Sequence, residues 1–278
     1  MAVLPNLPST LNAIDEHLEQ SLSEWMREHC GASGIGNPCE RAIYYSFRWV
    51  TAQSHSGRLL RLFRRGQGEE ISFVDDLRSV GITVSEGPAP GKQWRFGEFG
   101  GHFGGSMDAA ILGLVEAPKT WHVGEFKTSN KKGFDDLLKH GVKKSKPVHF
   151  AQMQVYMHYF GMTRAVYIVV CKDDDRRYLE RIEYDRYYAG ELEEKARRII
   201  FATEPPPKIS ERPDYYLCKW CDHYEVCHQD GMPEMNCRTC SYSEPTQTGK
   251  WQCNKHDDLI QLSTQKTGCE EYTSGGTR

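Results

Sequence analysis

Long hydrophobic runs are absent from the sequence. The longest uninterrupted apolar stretch covers residues 165–171, whereas a membrane-spanning helix needs about 20 apolar residues. The N-terminal segment MAVLPNLPSTLNAIDEHL also lacks the basic start and the apolar block of a secretory signal. We therefore expect a protein that has no membrane partner and stays in the cytoplasm.

The sequence also has no excess of positive charge. Its 35 Lys and Arg residues against 38 Asp and Glu residues give a formal net charge of −3. This balance argues against a nonspecific polycationic binder of nucleic acid but allows a local basic groove. Internal repeats, low-complexity tracts and the nucleotide-binding motif G-x-x-x-x-G-K-[ST] are absent as well, so the chain carries no ATP-driven motor of its own.

Hydrophobic periodicity predicts an α/β protein. Helices are expected over residues 9–30, 66–80, 148–160 and 188–201, and strands over residues 93–96, 106–112, 120–127 and 165–171. Glycines and turns punctuate residues 94–127, which predicts a β-meander. A proline-rich stretch at residues 204–207 ends the regular structure. The 278 residues leave room for one large domain, expected over residues 1–230, and a small C-terminal domain over residues 231–278.

The first two predicted helices each carry an apolar stripe. Spacings of three and four residues place such side chains on one helical face, which is typical of a helix that packs against a core. The stripe of the first helix is Leu11, Ile14, Leu18, Leu22 and Trp25, and that of the second is Ile71, Val74 and Leu77.

Two predicted strands carry carboxylates. In TWHVGEFK, residues 120–127, alternation places Glu125 and Lys127 on one face, and Asp108 lies in the apolar strand that precedes this one. If a turn near residues 116–119 makes these strands antiparallel neighbours, Asp108 and Glu125 come within reach of one cation. Magnesium and similar hard cations bind through a few carboxylates. Together with a nearby ammonium group, they support phosphodiester cleavage.

An exposed ion pair is the alternative for Glu125 and Lys127. A second Glu-x-Lys occurs at Glu193–Lys195, within a charged amphipathic helix. It has neither a strand setting nor an upstream aspartate, so we assign this second copy to the solvent-exposed surface.

Further polar residues could complete such a site. Glu70 could supply a third carboxylate, although a glutamate at a helix start is also favoured by the helix dipole alone. Gln152 and Tyr156 lie four residues apart and therefore share a helix face, where they could contact a nucleic-acid backbone. Lys146 belongs to a lysine-rich segment, residues 127–146. This segment could contact phosphates, and the alternative is that it forms a solvated charged face. The other lysines between Lys127 and Lys146 are Lys131, Lys132, Lys139, Lys143 and Lys144.

The ten cysteines point to metal binding, because disulfides are rare in a reducing compartment. Cys218-x-x-Cys221-x5-Cys227 supplies three thiols of a site that needs one more. The tail carries a second set that is typical of structural Zn²⁺: Cys237, Cys240, Cys253 and Cys269, with His256 as an alternative ligand that would leave Cys269 free. A segment of roughly 45 residues usually needs a metal to fold.

Cys30 and Cys171 are assigned to the core. Surface or supporting roles are assigned to His149, His158, His223 and His228.

Four of these motifs, taken in chain order, resemble a known superfamily. The order is Gly66-x3-Glu70, Gly105-x2-Asp108, Glu125-x-Lys127 and Gln152-x3-Tyr156. It is similar to the PD-(D/E)XK nuclease superfamily, in particular its RecB-like exonuclease branch. The phrase KSKPVHFAQMQVYMHYFG at residues 144–161 is similar to phage proteins of that branch.

The resemblance implies a fold and a site. The fold is a restriction-endonuclease-like α/β core, with a mixed central sheet flanked by helices. The implied ligands of Mg²⁺ or Mn²⁺ are Asp108, Glu125 and the backbone carbonyl of Phe126, with Lys127 as the catalytic lysine. Many relatives carry a histidine after the first glycine, but GQGEE at residues 66–70 has none, so Glu70 is the expected substitute, ahead of Glu69.

The iron–sulfur nucleases of this branch add one further implication. The CRISPR-adaptation nucleases and AddB-type subunits combine one N-terminal cysteine with C-x-x-C-x5-C after the nuclease core. Cys39 lies far upstream of Cys218, where that lone cysteine is expected. The resemblance therefore implies that Cys39, Cys218, Cys221 and Cys227 hold a [4Fe–4S] cluster, with Zn²⁺ as the alternative in the same four-thiolate cage.

The expected function is that of a divalent-metal-dependent DNA exonuclease in phage or bacterial recombination, replication or end processing. Its substrate is DNA, a helicase or recombination protein is a candidate partner, and the oligomeric state is left open. If the gene belongs to a phage, the protein works in the cytosol of the bacterial host. An alternative is a catalytically inactive nuclease-fold protein that binds DNA or serves in assembly, with structural metal clusters. A redox enzyme is disfavoured because no dinucleotide-binding fingerprint occurs.

Overall fold

The computed structural model describes residues 9–21, 26–52 and 54–275. Its helices are α1 (Thr10–Ser21), α2 (Glu40–Phe47), α3 (Gly57–Ser79), α4 (Lys131–Ser145), α5 (Pro147–Phe160), α6 (Arg186–Ile200), α7 (Tyr224–His228) and α8 (Leu262–Thr267). Its strands are β1 (Cys30–Gly31), β2 (Thr83–Ser85), β3 (Arg95–Glu98), β4 (Phe103–Ser106), β5 (Ala109–Leu112), β6 (His122–Ser129), β7 (Arg164–Cys171), β8 (Arg177–Glu183), β9 (Ser243–Pro245), β10 (Trp251–Cys253) and β11 (Asp258–Ile260).

The largest sheet of the described chain has five strands in the order β2-β5-β6-β7-β8. β6 and β7 are parallel, and the other neighbours are antiparallel. The crossover between β6 and β7 runs through α4 and α5, because parallel neighbours need a long connection. The predicted α/β class, with a mixed central sheet flanked by helices, is confirmed.

The sheet is buried on both faces, which explains the continuous apolar run of β7. Alternate side chains of β7 enter two hydrophobic clusters, one with α4, α5 and α6 and the other with α3. The first set is Ala165, Tyr167, Val169 and Cys171, and the second is Val166, Ile168 and Val170.

The predicted β-meander is wrong in its pairing. β3 and β4 belong to a separate three-stranded sheet with β1, whereas β5 and β6 lie in the five-stranded sheet. The chain passes from one sheet to the other at Met107 and Asp108, between β4 and β5. The pairing of β4 with β1, which places Phe103 opposite Cys30, is a long-range contact that local periodicity does not reveal.

The second predicted helix begins earlier than expected, and its stripe is displaced. α3 starts at Gly57, where the side chain of Ser56 accepts a hydrogen bond from the backbone N–H of Leu59. Ile71 is 62% exposed, so its predicted core position is wrong, whereas Val74 is buried and Leu77 packs beside it.

The first predicted helix, residues 9–30, is wrong at its C-terminal end, because Cys30 is a buried residue of strand β1. The helical part, α1, contributes no buried residue. In α1, Leu11 is 73% exposed, which contradicts the predicted apolar packing. α1 instead contacts the start of α3 through polar groups: Asp15 pairs with Arg61, and Glu19 Oε1 accepts a hydrogen bond from the Gly57 amide at 2.6 Å. Leu22 and Trp25 of the predicted stripe lie outside the described residues.

Residues 231–275 contain their own antiparallel sheet, β9-β10-β11, and they also enter the main core. Trp251 of β10 is 1% exposed and belongs to the hydrophobic cluster that covers one face of the five-stranded sheet. The division of the chain at residue 230 stays a prediction. Within residues 9–21, 26–52 and 54–275, no helix combines the length and the apolar character needed to cross a bilayer.

Candidate active site

The register of β5 and β6 brings the predicted carboxylates together. Ala109 pairs with Gly124 in this antiparallel ladder, so the next position along the ladder places Asp108 opposite Glu125. The carboxylate of Asp108 replaces a backbone partner there: the Phe126 N–H donates to Asp108 Oδ2 at 2.8 Å. The predicted antiparallel neighbourhood of the two strands is confirmed, and Asp108 is fixed by the strand that carries Glu125.

Glu125 is a carboxylate in a fully buried position. Its exposed fraction is 0%, and apart from an ion pair of Oε1 with Lys127, neither carboxylate oxygen has a hydrogen-bond partner in the described chain. Burial raises the pKa of Glu125 to about 8, with Lys127 acting in the opposite direction. A buried carboxylate with so few partners is costly, and a cation bound beside it would offset that cost.

The Lys127 ammonium lies where the predicted metal ligands converge. It donates to the Phe126 carbonyl at 3.1 Å, pairs with Glu125 and lies 3.9 Å from Asp108 Oδ2. Burial lowers the pKa of Lys127, but the carboxylates of Glu125 and Asp108 raise it by more, so the side chain stays charged. Three oxygen donors around one cationic group fit a divalent cation as well, because carboxylate and carbonyl oxygens are its preferred ligands.

Glu70 of α3 lies close to this group. Burial raises the pKa of Glu70, the Asp108 carboxylate raises it further, and Lys127 lowers it. Glu69 instead faces Arg65, with Oε1 4.0 Å from the guanidinium Nε. Glu70 therefore interacts electrostatically with Asp108 and Lys127, and the choice of Glu70 over Glu69 stays a prediction.

Gln152 and Tyr156 approach the carboxylates from α5. Gln152 Nε2 donates to Tyr156 Oη at 3.3 Å, and both side chains are buried. Burial raises the pKa of Tyr156, and Glu125 and Asp108 raise it further. Tyr156 also lies against Gly105, where an added Cβ would stand 3.0 Å from Tyr156 Oη. This close approach explains why the chain needs glycine just before Asp108.

Lys146 is half-buried, unlike the other lysines between Lys127 and Lys146. Its Nζ lies next to Gly133, Ser129 and Asn130, where β6 ends and α4 begins. The rest of the lysine-rich segment forms the exposed surface of α4, a helix that the sequence did not predict. The exposed lysines are Lys131, Lys132, Lys139, Lys143 and Lys144.

Sequence reasoning missed two residues at this site, His149 and Tyr167. Tyr167 of β7 pairs in register with Glu125 of β6, and its hydroxyl lies 2.6 Å from His149 Nδ1 on α5. His149 shares a helix face with Gln152 and Tyr156, at spacings of three and seven. That spacing was a signal in the sequence, but Tyr167 lies on another element, so the pair could not be recognised.

The four cysteines of the predicted iron–sulfur site line a cavity of 440 Å³. They are Cys39, Cys218, Cys221 and Cys227. Cys39 caps the start of α2, and Cys227 lies on α7. Burial raises the pKa of Cys218, Cys221 and Cys227, and the Cys39 thiol raises each of them further. All four thiols are therefore close enough to interact.

The lysine of the second Glu-x-Lys contacts the loop that precedes Cys39. The assignment of this motif to the solvent-exposed surface is therefore wrong for Lys195. Lys195 is half-buried and donates to the carbonyls of Ile35 at 2.9 Å and Asn37 at 2.6 Å. Asn37 Oδ1 in turn accepts a hydrogen bond from the Cys39 amide. Lys195 thereby fixes the loop that precedes Cys39.

The four cysteines of the tail also form a group. Burial raises the pKa of Cys237 to about 11, and Cys269, Cys240 and Cys253 raise it as well. His256 pairs with Glu271 at 3.1 Å. In the described part of the chain, no set of three or more His, Cys, Asp or Glu side chains is already arranged to hold a metal ion.

Several solved structures are similar to this chain, among them the following. The protein SSO0001 is similar with a TM-score of 0.46 and 16% identity, over 78% of this chain and 95% of that chain. An alkaline exonuclease, LHK-Exo from Laribacter hongkongensis, has a TM-score of 0.42 and 18% identity, over 66% of this chain and 90% of that chain. Its complex with dAMP has a TM-score of 0.41 and 18% identity, over 68% and 90%. No family model and no curated protein sequence matches the chain.

Proposed function

We propose that this protein is a DNA exonuclease that depends on Mg²⁺ or Mn²⁺ and acts in phage or bacterial recombination, replication or end processing. One observation carries the proposal: Asp108, Glu125 and the Phe126 carbonyl converge on the Lys127 ammonium between two buried strands. A fully buried carboxylate whose one partner is an ammonium group, beside a second carboxylate, is costly in a fold but suitable as a cation site.

Each residue of the group has a distinct role in this proposal. Asp108, Glu125 and the Phe126 carbonyl hold the cation, and the Phe126 N–H orients Asp108. The bound cation polarises the phosphoryl oxygen and lowers the pKa of a bound water. Lys127 neutralises charge that develops on the phosphate. Glu70 holds a water or the cation from α3, and Lys146 binds the DNA backbone. Gln152 and Tyr156 were expected to contact the DNA backbone, but both are buried, so we assign them to positioning the carboxylates from α5.

The test is a digestion panel with the full-length chain. Wild type with Mg²⁺ or Mn²⁺ is expected to degrade end-labelled linear DNA and to leave closed circular DNA intact. Asp108→Ala and Lys127→Ala should each reduce cleavage more than about 10²-fold, the usual effect of removing one preorganised charged or hydrogen-bonding group. Glu194→Ala, which changes an exposed carboxylate of the second Glu-x-Lys, is the matched control and should cut like wild type.

Two outcomes would contradict the proposal. If Asp108→Ala and Lys127→Ala both cut like wild type, the site is misassigned. If wild type retains DNA but never cuts it with any divalent cation, the chain is an inactive nuclease-fold protein that binds DNA or serves in assembly.

We also propose that Cys39, Cys218, Cys221 and Cys227 hold a [4Fe–4S] cluster, or Zn²⁺ in the same cage. Their mutual electrostatic contacts and the shared cavity support this assignment. A cluster here would join Cys39 to the distant Cys218 segment and would limit the freedom of the unfolded chain. The tail group, Cys237, Cys240, Cys253 and Cys269, is proposed to hold Zn²⁺, with His256 in place of Cys269 as the alternative.

Metal analysis with two single variants tests both assignments. Cys221→Ser should remove iron and visible absorbance and lower the unfolding temperature, while the zinc content stays. Cys269→Ser should remove zinc and leave the iron in place. A colourless wild type that contains zinc and no iron would refute the iron–sulfur assignment. Retention of zinc by Cys269→Ser would favour His256 as the ligand.

A further inference from the structure

His149 lies beside the carboxylate site in a defined environment. It is half-buried on α5, and its Nδ1 lies 2.6 Å from the hydroxyl of Tyr167, a residue that is 1% exposed. Tyr167 is the strand neighbour of Glu125. The His149–Tyr167 pair therefore lies next to the proposed cation ligands, although none of the roles described above uses it.

The hydrogen bond to Tyr167 determines which nitrogen of His149 carries the proton. The buried Tyr167 hydroxyl has no other hydrogen-bond partner in the described chain, so it must donate to Nδ1 to satisfy its proton. A neutral imidazole that accepts at Nδ1 carries its hydrogen on Nε2. Burial, Lys127 and Lys146 lower the pKa of His149 to about 4, which keeps the ring neutral near pH 7.

The Nε2–H of His149 is a free donor. Within the described residues Nε2 has no hydrogen-bond partner, and the His149 side chain is only partly buried. The groups whose charges affect His149 are the ammonium groups of Lys127 and Lys146. A neutral donor in the field of two cations suits an anionic acceptor, and DNA presents such an acceptor in its phosphates.

We propose that the Nε2–H of His149 donates a hydrogen bond to a phosphate oxygen of the DNA next to the cleaved bond, between the contacts made by Lys127 and Lys146. The proposal rests on the proposed nuclease function and adds a substrate-binding residue to it. Tyr167 acts as a positioning residue, because it fixes the tautomer and the ring orientation of His149.

Two amide substitutions separate this role from a purely structural one. The amide of glutamine reaches the place of Nε2, whereas the amide of asparagine stands near Nδ1 and keeps only the contact with Tyr167. His149→Ala should therefore reduce cleavage about 10- to 100-fold, the scale of one hydrogen bond to a charged group. His149→Gln should restore most of the activity, and His149→Asn should not.

The chain offers a matched control on the same helix. His158 also has its Nδ1 2.6 Å from a tyrosine hydroxyl, that of Tyr184, but its Nε2 lies 3.5 Å from Glu193. His158→Ala is expected to leave cleavage unchanged. Wild-type activity of His149→Ala, or rescue by asparagine but not by glutamine, would overturn the proposal.

A binding measurement distinguishes failure of this proposal from failure of the nuclease function. With Asp108→Ala as the background, fluorescence anisotropy of a labelled oligonucleotide should show affinity reduced about 10-fold or more by adding His149→Ala. Nitrogen-15 NMR of the DNA-free chain should show the Nε2–H tautomer of His149, and Tyr167→Phe should change it. If wild type does not cut DNA, these two results still decide the role of His149, and unchanged affinity would refute it.

Discussion

Glu125 and Lys127 show how a single strand can hold opposite charges in a buried position. Alternation places both side chains on the face that α5 covers, while Phe126 between them enters the cluster under α3. The carboxylate is completely buried, whereas Lys127 is 28% exposed. Water can therefore reach the ammonium more readily than the Glu125 carboxylate, whose one partner among the described residues is that ammonium.

We expect Glu125 to make stability depend on pH in Mg²⁺-free buffer. Its pKa is raised from 4.5 to about 8 in the folded state, so the folded protein holds a proton that the unfolded chain has lost. This contribution to stability is complete below pH 4.5 and disappears as the pH rises through 8. We therefore compare the free energies of unfolding of Glu125→Gln and wild type, both measured in urea. The difference in favour of the variant should grow by up to about 1.4 kcal/mol per pH unit between pH 4.5 and pH 8.

Glu194→Gln is the control for that measurement, because Glu194 is exposed. Its difference from wild type should not change with pH. A difference between Glu125→Gln and wild type that is equally flat from pH 5 to pH 8 would contradict a raised pKa of Glu125.

Among single residues, the sequence alone located those whose position follows from local strand geometry. Period-two alternation located Glu125 and Lys127, and the antiparallel turn located Asp108. His149 was assigned a supporting or surface role because its meaning depends on Tyr167, which lies 18 residues away on a strand that crosses under α5. Lys195 was misassigned because its carbonyl partners lie about 160 residues earlier.

Among the elements, α5 fixes the geometry of the site by packing closely on the segment between β1 and α2 and on β4. An added Cβ at Gly36 would stand 2.7 Å from the Val148 backbone, and one at Gly105 would stand 3.0 Å from Ala32 and from Tyr156. These glycines allow α5 to approach until Tyr156 reaches the carboxylates.

Gly105→Ala should therefore perturb both stability and activity. The new methyl group would displace Tyr156 or Ala32, which we expect to cost about 1–3 kcal/mol of unfolding free energy and to reduce cleavage. The matched control is Gly66→Ala in α3, where an added Cβ meets nothing within 4 Å. That substitution should stabilise the helix by about 1 kcal/mol. Urea unfolding checks both values, and equal stabilities of the two variants would contradict the close approach.

The elements with strong local signals were predicted well. α5, α6 and β7 appear within about two residues of the predicted bounds, because apolar spacing and flanking breakers agreed. α4 was not predicted, because its fifteen residues expose most of their lysines and bury only Phe134, Leu137 and Val142. Sheet membership of β3 and β4 depends on pairing with β1, which no local pattern encodes.

At the scale of the whole molecule, a buried arginine joins the tail to the core. Arg238 is 2% exposed and lies 3.6 Å from the centre of the Trp49 ring and 4.8 Å from that of Trp251. It donates to the carbonyls of Glu28 at 2.9 Å and Phe47 at 3.0 Å. Burial lowers the pKa of Arg238, and the aromatic rings and carbonyls supply the partners that a carboxylate would otherwise provide.

Replacing Arg238 should loosen this junction. Arg238→Ala removes the donor of the Glu28 carbonyl and of the buried Phe47 carbonyl and empties the space between the rings, so we expect a loss of about 3 kcal/mol or more. Thermal unfolding measures the loss, and limited proteolysis with mass spectrometry should show earlier cleavage after residue 230. Arg212→Ala removes only an exposed pair with Asp214 and should change stability by less than about 1 kcal/mol. Equal behaviour of the two variants would show that Arg238 does not join the tail to the core.

The position of Trp251 in the main hydrophobic cluster also bears on biosynthesis. The last strand of the five-stranded sheet ends at Glu183, and Trp251 follows much later in the chain. At about 5–20 residues per second, a ribosome needs roughly 3–14 s to add the intervening length. Throughout this interval the nascent sheet lacks an aromatic side chain that its finished core contains, so final packing must wait for the tail to be made. The hydrophobic cluster on that face of the sheet would thus be completed only after synthesis has passed the tail tryptophan.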